Sequence, residues 1–417
     1  MGKETRRFGI ISTSFFPLVG GAERQCLRLA RWLGSRRELA WVLTLQIDPA
    51  TPRTEELDGV TISRIGPVAM WRRVVAALGN PSVTPETSYE RALRQNGLEK
   101  WISWTKQSVS QLWITLSTST RLWRDRRSLD ALICFFFSPL EAIACRVARL
   151  LNIPVIVRAT NSDQYLFLDL IASWQRRALL RADRIVAISG HVRKQIVALG
   201  VDESRITLIP NGVDLPAKQW EVAAAHVRAA VCVANLSQQP LKGLDVLIEA
   251  WGSLVKEIGQ RHHLMICGRG DSTTLAALAR GQGVQDLVTF AGFVVNVEPI
   301  LLESSLFVLP SRFEGMSNAL LEAMALGMPC VSTAVSGSTD LIESGRNGIL
   351  VPVDNPIALA EALIEVLGNK AMQSRLGIEA RRTIERGYTA DKTIASYARL
   401  LGELRKRRTS DTDNVQR

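Results

Sequence analysis

The sequence is poor in the residues that build metal centres and disulfide frameworks. Among its 417 residues there are six cysteines and four histidines, and no two cysteines form a C-x-x-C pair. Most of the cysteines fall inside apolar segments, which is typical of small buried side chains in a reducing compartment. The histidines show no metal-ligand spacing. We therefore expect neither a metal site nor a disulfide framework.

Long apolar runs are scarce as well. A membrane-spanning helix needs about 20 apolar residues. The most apolar segment, residues 131–139, is shorter, and Glu141 follows it closely. Residues 1–21 are basic and then apolar, as in a signal peptide, but they carry no clear cleavage site. These patterns predict a cytoplasmic protein, with peripheral attachment to the inner face of the cell membrane as an open alternative.

The charge of the chain is strongly positive. Its formal net charge of +11 favours a nucleic acid, an anionic membrane surface or an anionic small molecule as partner. No motif that combines basic and aromatic residues for nucleic-acid binding is present, so we expect no nucleic-acid partner. A length of 417 residues favours two domains.

Short apolar strands and amphipathic helices alternate in two series along the chain. The first series begins with a strand at residues 8–13, and the second begins with a strand at residues 229–234. Strands that alternate with helices form parallel sheets with helices on both faces. The sequence therefore predicts an α/β fold of two Rossmann-like, doubly wound domains.

Residues 306–332 carry the clearest chemical signal. They read as strand, loop, helix and strand, with Glu314 in the loop and Glu322 roughly one turn inside the helix. Ser317 or Asn318 can cap the helix. The free N–H groups at a helix start suit a phosphate, and neighbouring carboxylates suit sugar hydroxyls. The pattern indicates either a nucleotide-sugar site or a helix that caps itself.

The segment EGMSNALLEAMALGMPCV resembles the E-x7-E signature of retaining glycosyltransferases of family 4, also called glycosyl transferases group 1, which have the GT-B fold. The flanking segments PSRFEG and GSTDLIESGRNGILVPVDNP are similar to the family as well. The resemblance implies two domains facing a cleft, with Glu314 as a catalytic residue that contacts the donor sugar and with Glu322 holding the ribose hydroxyls. The same stretch adds further candidate substrate-binding residues: Gly315, Met316, Ser317 and Asn318.

Two basic residues and one aromatic residue complete the predicted donor site. Lys242 stands at a strand-to-helix turn, where its ammonium suits a diphosphate leaving group; a solvated loop charge is the alternative. The resemblance implies a catalytic role for Lys242, and Asn235 stands where the family often has an arginine. Arg269 lies in a G-R-G loop without the third glycine of a dinucleotide fingerprint, so we expect a cleft loop near phosphate. Phe293 belongs to FAGFVVNVEPIL, whose counterpart in the family reads the donor base.

The first series offers further candidate substrate-binding residues. Gly20 and Gly21 precede its first helix, where they form a tight turn or let a ligand approach the backbone closely. The resemblance implies contact there with the donor diphosphate or the acceptor. The loop RATNSDQ stands where the family commonly has a histidine near the reacting sugar carbon, and Asn161 is among its polar candidates.

The segment IPNGVD resembles the interdomain linker of the family. We therefore predict an N-terminal acceptor domain at residues 1–203 and a C-terminal nucleotide-sugar domain at residues 204–388. Residues 389–417 are predicted to form a crossover helix that packs on the N-terminal domain, followed by a disordered polar tail from Arg405.

Residues 70–127 interrupt the α/β alternation with many tryptophans and arginines. Basic helices with tryptophan on the opposite side can lie in a membrane interface. Helices that pack on the domain and leave their arginines solvated are the alternative. Contact with an anionic membrane surface is therefore one of two interpretations of this segment.

Taken together, the residues and the resemblance imply a retaining hexosyltransferase. It would move a sugar from a nucleotide-diphosphate-sugar, a UDP-sugar in preference to a GDP-sugar, to a glycan or lipid-linked acceptor in cell-surface polysaccharide or glycolipid synthesis. We expect no cofactor besides this donor. Two alternatives keep the fold: a catalytically weak glycosyltransferase-like binding subunit, motivated by the missing histidine and arginine, and a nucleotide-sugar epimerase.

Overall fold

The computed structural model describes residues 7–15, 20–46, 51–65, 113–135, 138–160, 173–222, 228–259 and 262–415. The strands are β1 (Arg7–Ser12), β2 (Leu39–Leu45), β3 (Thr54–Leu57), β4 (Val60–Ile65), β5 (Leu129–Cys134), β6 (Val155–Ala159), β7 (Arg184–Ala187), β8 (Ile206–Leu208), β9 (Arg228–Val233), β10 (Leu264–Cys267), β11 (Val288–Gly292), β12 (Ser304–Leu309), β13 (Cys330–Thr333) and β14 (Ile349–Val351). The helices are α1 (Gly21–Ser35), α2 (113–125), α3 (Pro139–Leu150), α4 (Ser173–Leu180), α5 (Gly190–Ala198), α6 (Leu244–Ile258), α7 (Thr273–Gly281), α8 (Glu298–Leu302), α9 (Asn318–Leu326), α10 (Ser336–Leu341), α11 (Pro356–Gly368), α12 (Lys370–Gly387) and α13 (Ala390–Val415).

These strands form two sheets. The first has the order β3-β4-β2-β1-β5-β6-β7-β8, and the second has the order β11-β10-β9-β12-β13-β14. Strand β1 pairs in parallel with β2 and β5, and β9 pairs in parallel with β10 and β12. In each sheet the chain therefore adds strands first on one side of its opening strand and then on the other. This doubly wound arrangement confirms the predicted α/β fold class.

Contacts divide the described chain into two units. Unit 1 takes its residues from Met1–Arg158, Asp169–Ile185 and Glu403–Arg417, and unit 2 takes its residues from Ala159–Leu168 and Val186–Gly402. The domain bounds predicted from the sequence differ from this division and stay a prediction.

The core of unit 1 is built by strands that are apolar along their whole length. All six residues of β5 are buried, as expected for a central parallel strand that is covered on both faces. Helix α1 buries Cys26, Leu29, Ala30 and Leu33, which recur at the three- and four-residue spacing of one helix face. The sheet and this helix face therefore share one core.

A buried carboxyl group lies between the ends of β1 and β5. The side chain of Glu141, in the first turn of α3, is fully buried. Its Oε1 accepts hydrogen bonds from the backbone N–H and the hydroxyl of Thr13, each at 2.8 Å, and its Oε2 accepts from Ser138. Burial raises the pKa of the Glu141 carboxyl above its ordinary value of 4.5, although the hydrogen bonds from Ser138 and Thr13 act to lower it.

We expect the free energy of unfolding of the Glu141→Gln variant to fall less than that of the wild type as the pH rises. A raised pKa in the folded state means that the folded protein binds the proton more tightly than the unfolded chain. The corresponding stability is present below about pH 4.5 and is lost as the pH rises through the folded-state pKa. Urea unfolding between about pH 4 and pH 8 should therefore show that the free energy of unfolding of Glu141→Gln increases relative to that of the wild type as the pH rises. Glu257→Gln, at an exposed position of α6, is the control, and parallel curves for wild type and Glu141→Gln would contradict the expectation.

The last helix extends further than predicted. Helix α13 runs to Val415, so the disordered tail expected from Arg405 is wrong for the described residues. The reason is that residues 405–415 are polar but contain neither glycine nor proline to end the helix. Arg405 donates to Asp130 at 2.8 Å and to Glu38 at 3.0 Å. These bonds attach this part of the helix to the first sheet.

The core of unit 2 packs helices on both faces of the second sheet. Helix α6 packs against α11, and α9 packs against α12. Trp251 and Leu247 of α6 are completely buried, as is Leu306 of β12. Among the described helices, none combines the length and apolarity that crossing a bilayer requires.

Candidate functional site

The candidate site lies beyond the carboxyl ends of β9 and β12. These strands are neighbours, but the chain leaves β9 toward β10 on one side and reaches β12 on the other side. In open α/β sheets, ligands bind in the crevice at such a switch point. Lys242 follows β9 and Glu314 follows β12, so the topology brings both predicted catalytic residues to this crevice.

An ion pair joins these two residues directly. Lys242 Nζ lies 2.7 Å from Glu314 Oε1, and the two side chains are only 16% and 13% exposed. The hydroxyl of Ser311 donates to the same oxygen at 3.1 Å. The site thus contains an ammonium and a carboxylate in contact and largely shielded from water, where charge interactions are stronger than in bulk solvent.

The two loops that carry the ion pair pack tightly against each other. Gly243, at the start of α6, has a φ of +60°, a conformation that glycine adopts without strain. A Cβ at this position would collide with the carbonyl oxygen of Pro310. Glycine is therefore required there both for the backbone conformation and for the approach of the loop after β12.

Arg312 ties these loops together. Its guanidinium donates two parallel hydrogen bonds of 2.8 Å to Asp245, a bond of 2.5 Å to Asp354 and a bond of 2.6 Å to the carbonyl of Pro240. Its backbone N–H donates to the carbonyl of Leu241 at 2.8 Å. Partial burial acts to raise the pKa of the Asp245 carboxyl, but the hydrogen bonds and charge of Arg312 hold it below 3.8.

Helix α9 begins beside the ion pair. The Ser317 hydroxyl accepts from the N–H of Leu320 at 3.3 Å, so Ser317 caps the helix. Asn318 is the first residue of α9, and Glu322 lies about one turn further on and is partly buried. The self-capping that the sequence left open is therefore present, and it uses one of the N–H groups of the first turn.

The segment between Glu314 and α9 is held from two sides. The backbone carbonyl of Glu314 accepts from the hydroxyl of Ser336 and from the N–H of Gly337. The Asn211 side chain donates to the carbonyl of Met316 at 3.1 Å. A Cβ on Gly337 would collide with the backbone of Gly315 and Met316. Gly315 and Met316 are therefore fixed between α10 and Asn211.

Arg269 and Phe293 meet at the neighbouring strand ends. The guanidinium carbon of Arg269, after β10, lies 4.8 Å from the ring centroid of Phe293, after β11, in a cation–π contact. The Phe293 side chain remains 46% exposed. Asn235, at the position where the family often has an arginine, accepts from the N–H of Ser237 at 3.1 Å and caps a short helical turn.

The remaining predicted residues lie elsewhere. Gly20 and Gly21 are at the start of α1 in unit 1, and Gly20 has an ordinary φ of −106°. The Glu23 carboxylate fills the space beside Gly20 and accepts from the hydroxyl of Ser14 at 2.5 Å. Asn161 lies outside the described residues, so its predicted role stays a prediction.

The groups that hold the site in place are not among the residues predicted from the sequence. Arg312 stands within the recognised PSRFEG segment, two residues before Glu314, and its charge there was the available signal. Ser311, Asn211 and Ser336 gave no comparable signal, because short polar side chains are common in loops. Within the described ranges, no group of three or more histidine, cysteine, aspartate or glutamate side chains could hold a metal ion.

Two family models match the chain. Residues 19–216 match the model described as Glycosyltransferase Family 4, and residues 228–369 match the model described as Glycosyl transferases group 1. Sequence relatives agree with them. A D-inositol 3-phosphate glycosyltransferase of a Nocardioides species is 30% identical over 253 residues, which are 54% of this chain and 55% of the relative. The lipopolysaccharide core biosynthesis glycosyltransferase LpsE of Rhizobium meliloti is 29% identical over 161 residues, which are 38% of this chain and 46% of the relative.

The chain therefore spans about half the length of these relatives. A solved structure extends the likeness along the whole chain: Anabaena HepE in complex with UDP has a TM-score of 0.68 at 15% identity and covers 95% of this chain and 100% of its own. The fold is the GT-B fold of glycosyltransferases. The first part of the chain is thus similar to one glycosyltransferase model and the second part to another.

We expect Arg312→Ala to loosen the two loops of the site. Hydrogen bonds to charged groups contribute about 1.5–3 kcal/mol each, and Asp245 would lose its two bonds to Arg312. Arg312→Lys should recover only part of the stability, because an ammonium cannot form the planar paired contact. The measurements are urea unfolding and hydrogen exchange of residues 239–243.

The control for this experiment is Arg346→Ala, which removes an arginine that is 51% exposed and pairs with Glu343. Exposed ion pairs contribute about 1 kcal/mol or less. Equal effects of Arg312→Ala and Arg346→Ala on stability and exchange would contradict the role of Arg312.

Proposed function

We propose that the protein is a retaining glycosyltransferase that moves a hexose from a nucleotide-diphosphate-sugar to a glycan or lipid-linked acceptor in cell-surface polysaccharide or glycolipid synthesis. The observation that carries this proposal is the Lys242–Glu314 pair at the switch point of unit 2, next to the start of α9. An ammonium and a helix start suit a diphosphate, and carboxylates suit sugar hydroxyls.

Each residue of the site takes one part of this reaction. Cleavage of the donor bond leaves negative charge on the diphosphate, and Lys242 and the first turn of α9 at Asn318 stabilise that charge. Glu314 contacts the donor sugar, with Gly315, Met316 and Ser317 beside it. Glu322 accepts from the ribose hydroxyls. Among the remaining candidate residues, Phe293 lies at the base end of the donor and Arg269 near its phosphate. Asn161 lies near the reacting sugar carbon, and Gly20 and Gly21 contact the donor diphosphate or the acceptor.

A UDP-sugar is the preferred donor in this proposal, with a GDP-sugar as the alternative and no further cofactor. The fold is shared with HepE, whose structure contains UDP. The likeness to LpsE, named for lipopolysaccharide core biosynthesis, supports an acceptor of the cell surface. The proposed location is the cytoplasm, including the inner face of the cell membrane.

Removal of either member of the ion pair should abolish most of the transfer. We expect Glu314→Ala and Lys242→Ala each to lower kcat/KM for the nucleotide-sugar by about 100-fold or more, as loss of a charge-stabilising group typically does. Lys256→Ala and Glu257→Ala change the same residue types at exposed positions of α6 and should leave transfer unchanged. Full transfer by Glu314→Ala would overturn the assignment of the site.

The stereochemistry and the products separate the proposal from its alternatives. Proton NMR of the first product should show the anomeric configuration of the donor, because the proposed reaction retains it. Conversion of the donor sugar without any acceptor would favour an epimerase. Donor binding without turnover would favour a binding subunit, consistent with the local capping role of Asn235 in place of an arginine.

We also propose that α2 attaches the protein to an anionic membrane surface. Most of the predicted segment 70–127 lies outside the described residues, but α2 exposes three large apolar side chains, Trp113 at 40%, Leu116 at 53% and Trp123 at 60%. Their spacing of three and seven residues places them on one helix face. Arg126 stacks on Trp123 at 4.6 Å. Tryptophan beside arginine suits the headgroup region of a bilayer.

Substitution of this face should release the protein from vesicles. We expect wild-type protein to sediment with phosphatidylglycerol-containing vesicles at low salt, and less so at high salt. Trp113→Ala combined with Trp123→Ala should abolish sedimentation, because it removes most of the apolar surface that enters the bilayer. Val197→Ala combined with Leu208→Ala changes other exposed apolar residues and is the control. Equal sedimentation of both double variants would contradict the role of α2.

A further inference from the structure

The ion pair at the candidate site sets up a competition for one ammonium. Lys242 Nζ contacts Glu314 Oε1 at 2.7 Å, and little of either side chain is exposed to water. Ser311 also donates to that oxygen, which helps to keep the carboxylate in place. Any diphosphate that binds Lys242 therefore meets an ammonium whose charge a carboxylate already partly neutralises, and this carboxylate lies close enough to repel the phosphate.

We infer that Glu314 weakens the binding of the nucleoside diphosphate product by holding the Lys242 ammonium, and thereby promotes product release. This inference rests on the proposed function, because it concerns the product of the proposed transfer. It gives Glu314 a second task besides contact with the donor sugar.

The charges of donor and product make such a device useful. In a nucleotide-sugar the phosphate next to the sugar has an ester bond to the sugar and an anhydride bond to the other phosphate, and it carries about one negative charge. After transfer it is the terminal phosphate of a nucleoside diphosphate and has a second ionisable oxygen, so that, like a phosphate monoester, it carries about −1.5 to −2 charges near pH 7. The product therefore attracts Lys242 more strongly than the donor does. A carboxylate in contact with Lys242 opposes this gain, because it partly neutralises the ammonium and repels the additional negative charge.

The neighbouring cation is not available to take over from Lys242. Arg312 is the basic residue closest in sequence to Glu314, but its guanidinium is bound to Asp245, Asp354 and the Pro240 carbonyl. Its charge is thus paired with carboxylates that hold the loops together. The balance between binding and release of a diphosphate at this place depends on how strongly Glu314 holds Lys242.

The test is isothermal titration of inorganic pyrophosphate and of UDP to the wild type and to Glu314→Gln. Glutamine keeps the size of the side chain and removes its charge. We expect both ligands to bind about tenfold more tightly to Glu314→Gln, a difference equivalent to about 1.4 kcal/mol. The gain should disappear when Glu314→Gln is combined with Lys242→Ala. Glu257→Gln, at an exposed position, is the control and should bind as the wild type does.

A further variant guards against misfolding of Glu314→Gln. Glu314→Asp retains the charge but withdraws it from Lys242, so it should give a smaller gain in affinity. The inference is overturned if neither variant binds pyrophosphate more tightly than the wild type. It is also overturned if the gain in affinity persists when Lys242→Ala is added. The gain would then follow from the loss of a negative charge near the ligand and would not involve Lys242.

This design separates the inference from the proposed function. Pyrophosphate contains neither nucleoside nor sugar, so its affinity reports on the groups that bind the diphosphate, and the double variant with Lys242→Ala isolates the share of the ammonium. A tenfold gain without transfer from any nucleotide-sugar would support the competition for Lys242 and contradict the glycosyltransferase. Transfer by the wild type without any gain in Glu314→Gln would support the glycosyltransferase and contradict the role of Glu314 in product release.

Discussion

The contact between Lys242 and Glu314 is the interaction on which the candidate site depends. The two residues are 72 positions apart in the chain, and they meet because β9 and β12 are neighbours in the second sheet. Arg312 and the close approach at Gly243 hold their loops together. The ion pair gives each charge a partner of opposite sign, since a largely buried ammonium without a partner would be costly.

The two sheets differ at corresponding switch points. Between β1 and β5 of unit 1, the space is taken by Glu141, which is fully buried and satisfied by Thr13 and Ser138. Between β9 and β12 of unit 2, the paired charges keep some exposure to solvent. A ligand can therefore replace one member of the Lys242–Glu314 pair as the partner of the other more readily than it can replace the buried partners of Glu141. This contrast supports assigning the anionic donor to unit 2.

Local patterns in the sequence predicted the fold, and tertiary pairing determined most of the rest. Apolar strands such as β9 and β12, and the helix cap at Ser317, are local features, and the structure confirms both. The partners of Arg312, Asp245 and Asp354, could not be predicted, because ion pairing across loops depends on strand order. The helix through residues 405–415 differs from the disorder that its polarity predicts, because nothing in that segment ends a helix.

A donor panel tests the central claim most directly, namely that unit 2 binds a nucleotide-sugar at the start of α9. Thermal unfolding would be followed with UDP-, GDP- and ADP-sugars for the wild type and for Glu322→Ala. We predict that one class of donor raises the Tm of the wild type and that Glu322→Ala loses this increase, because a ligand stabilises only the folded state that binds it. No increase with any donor, or an equal increase in Glu322→Ala, would contradict the account.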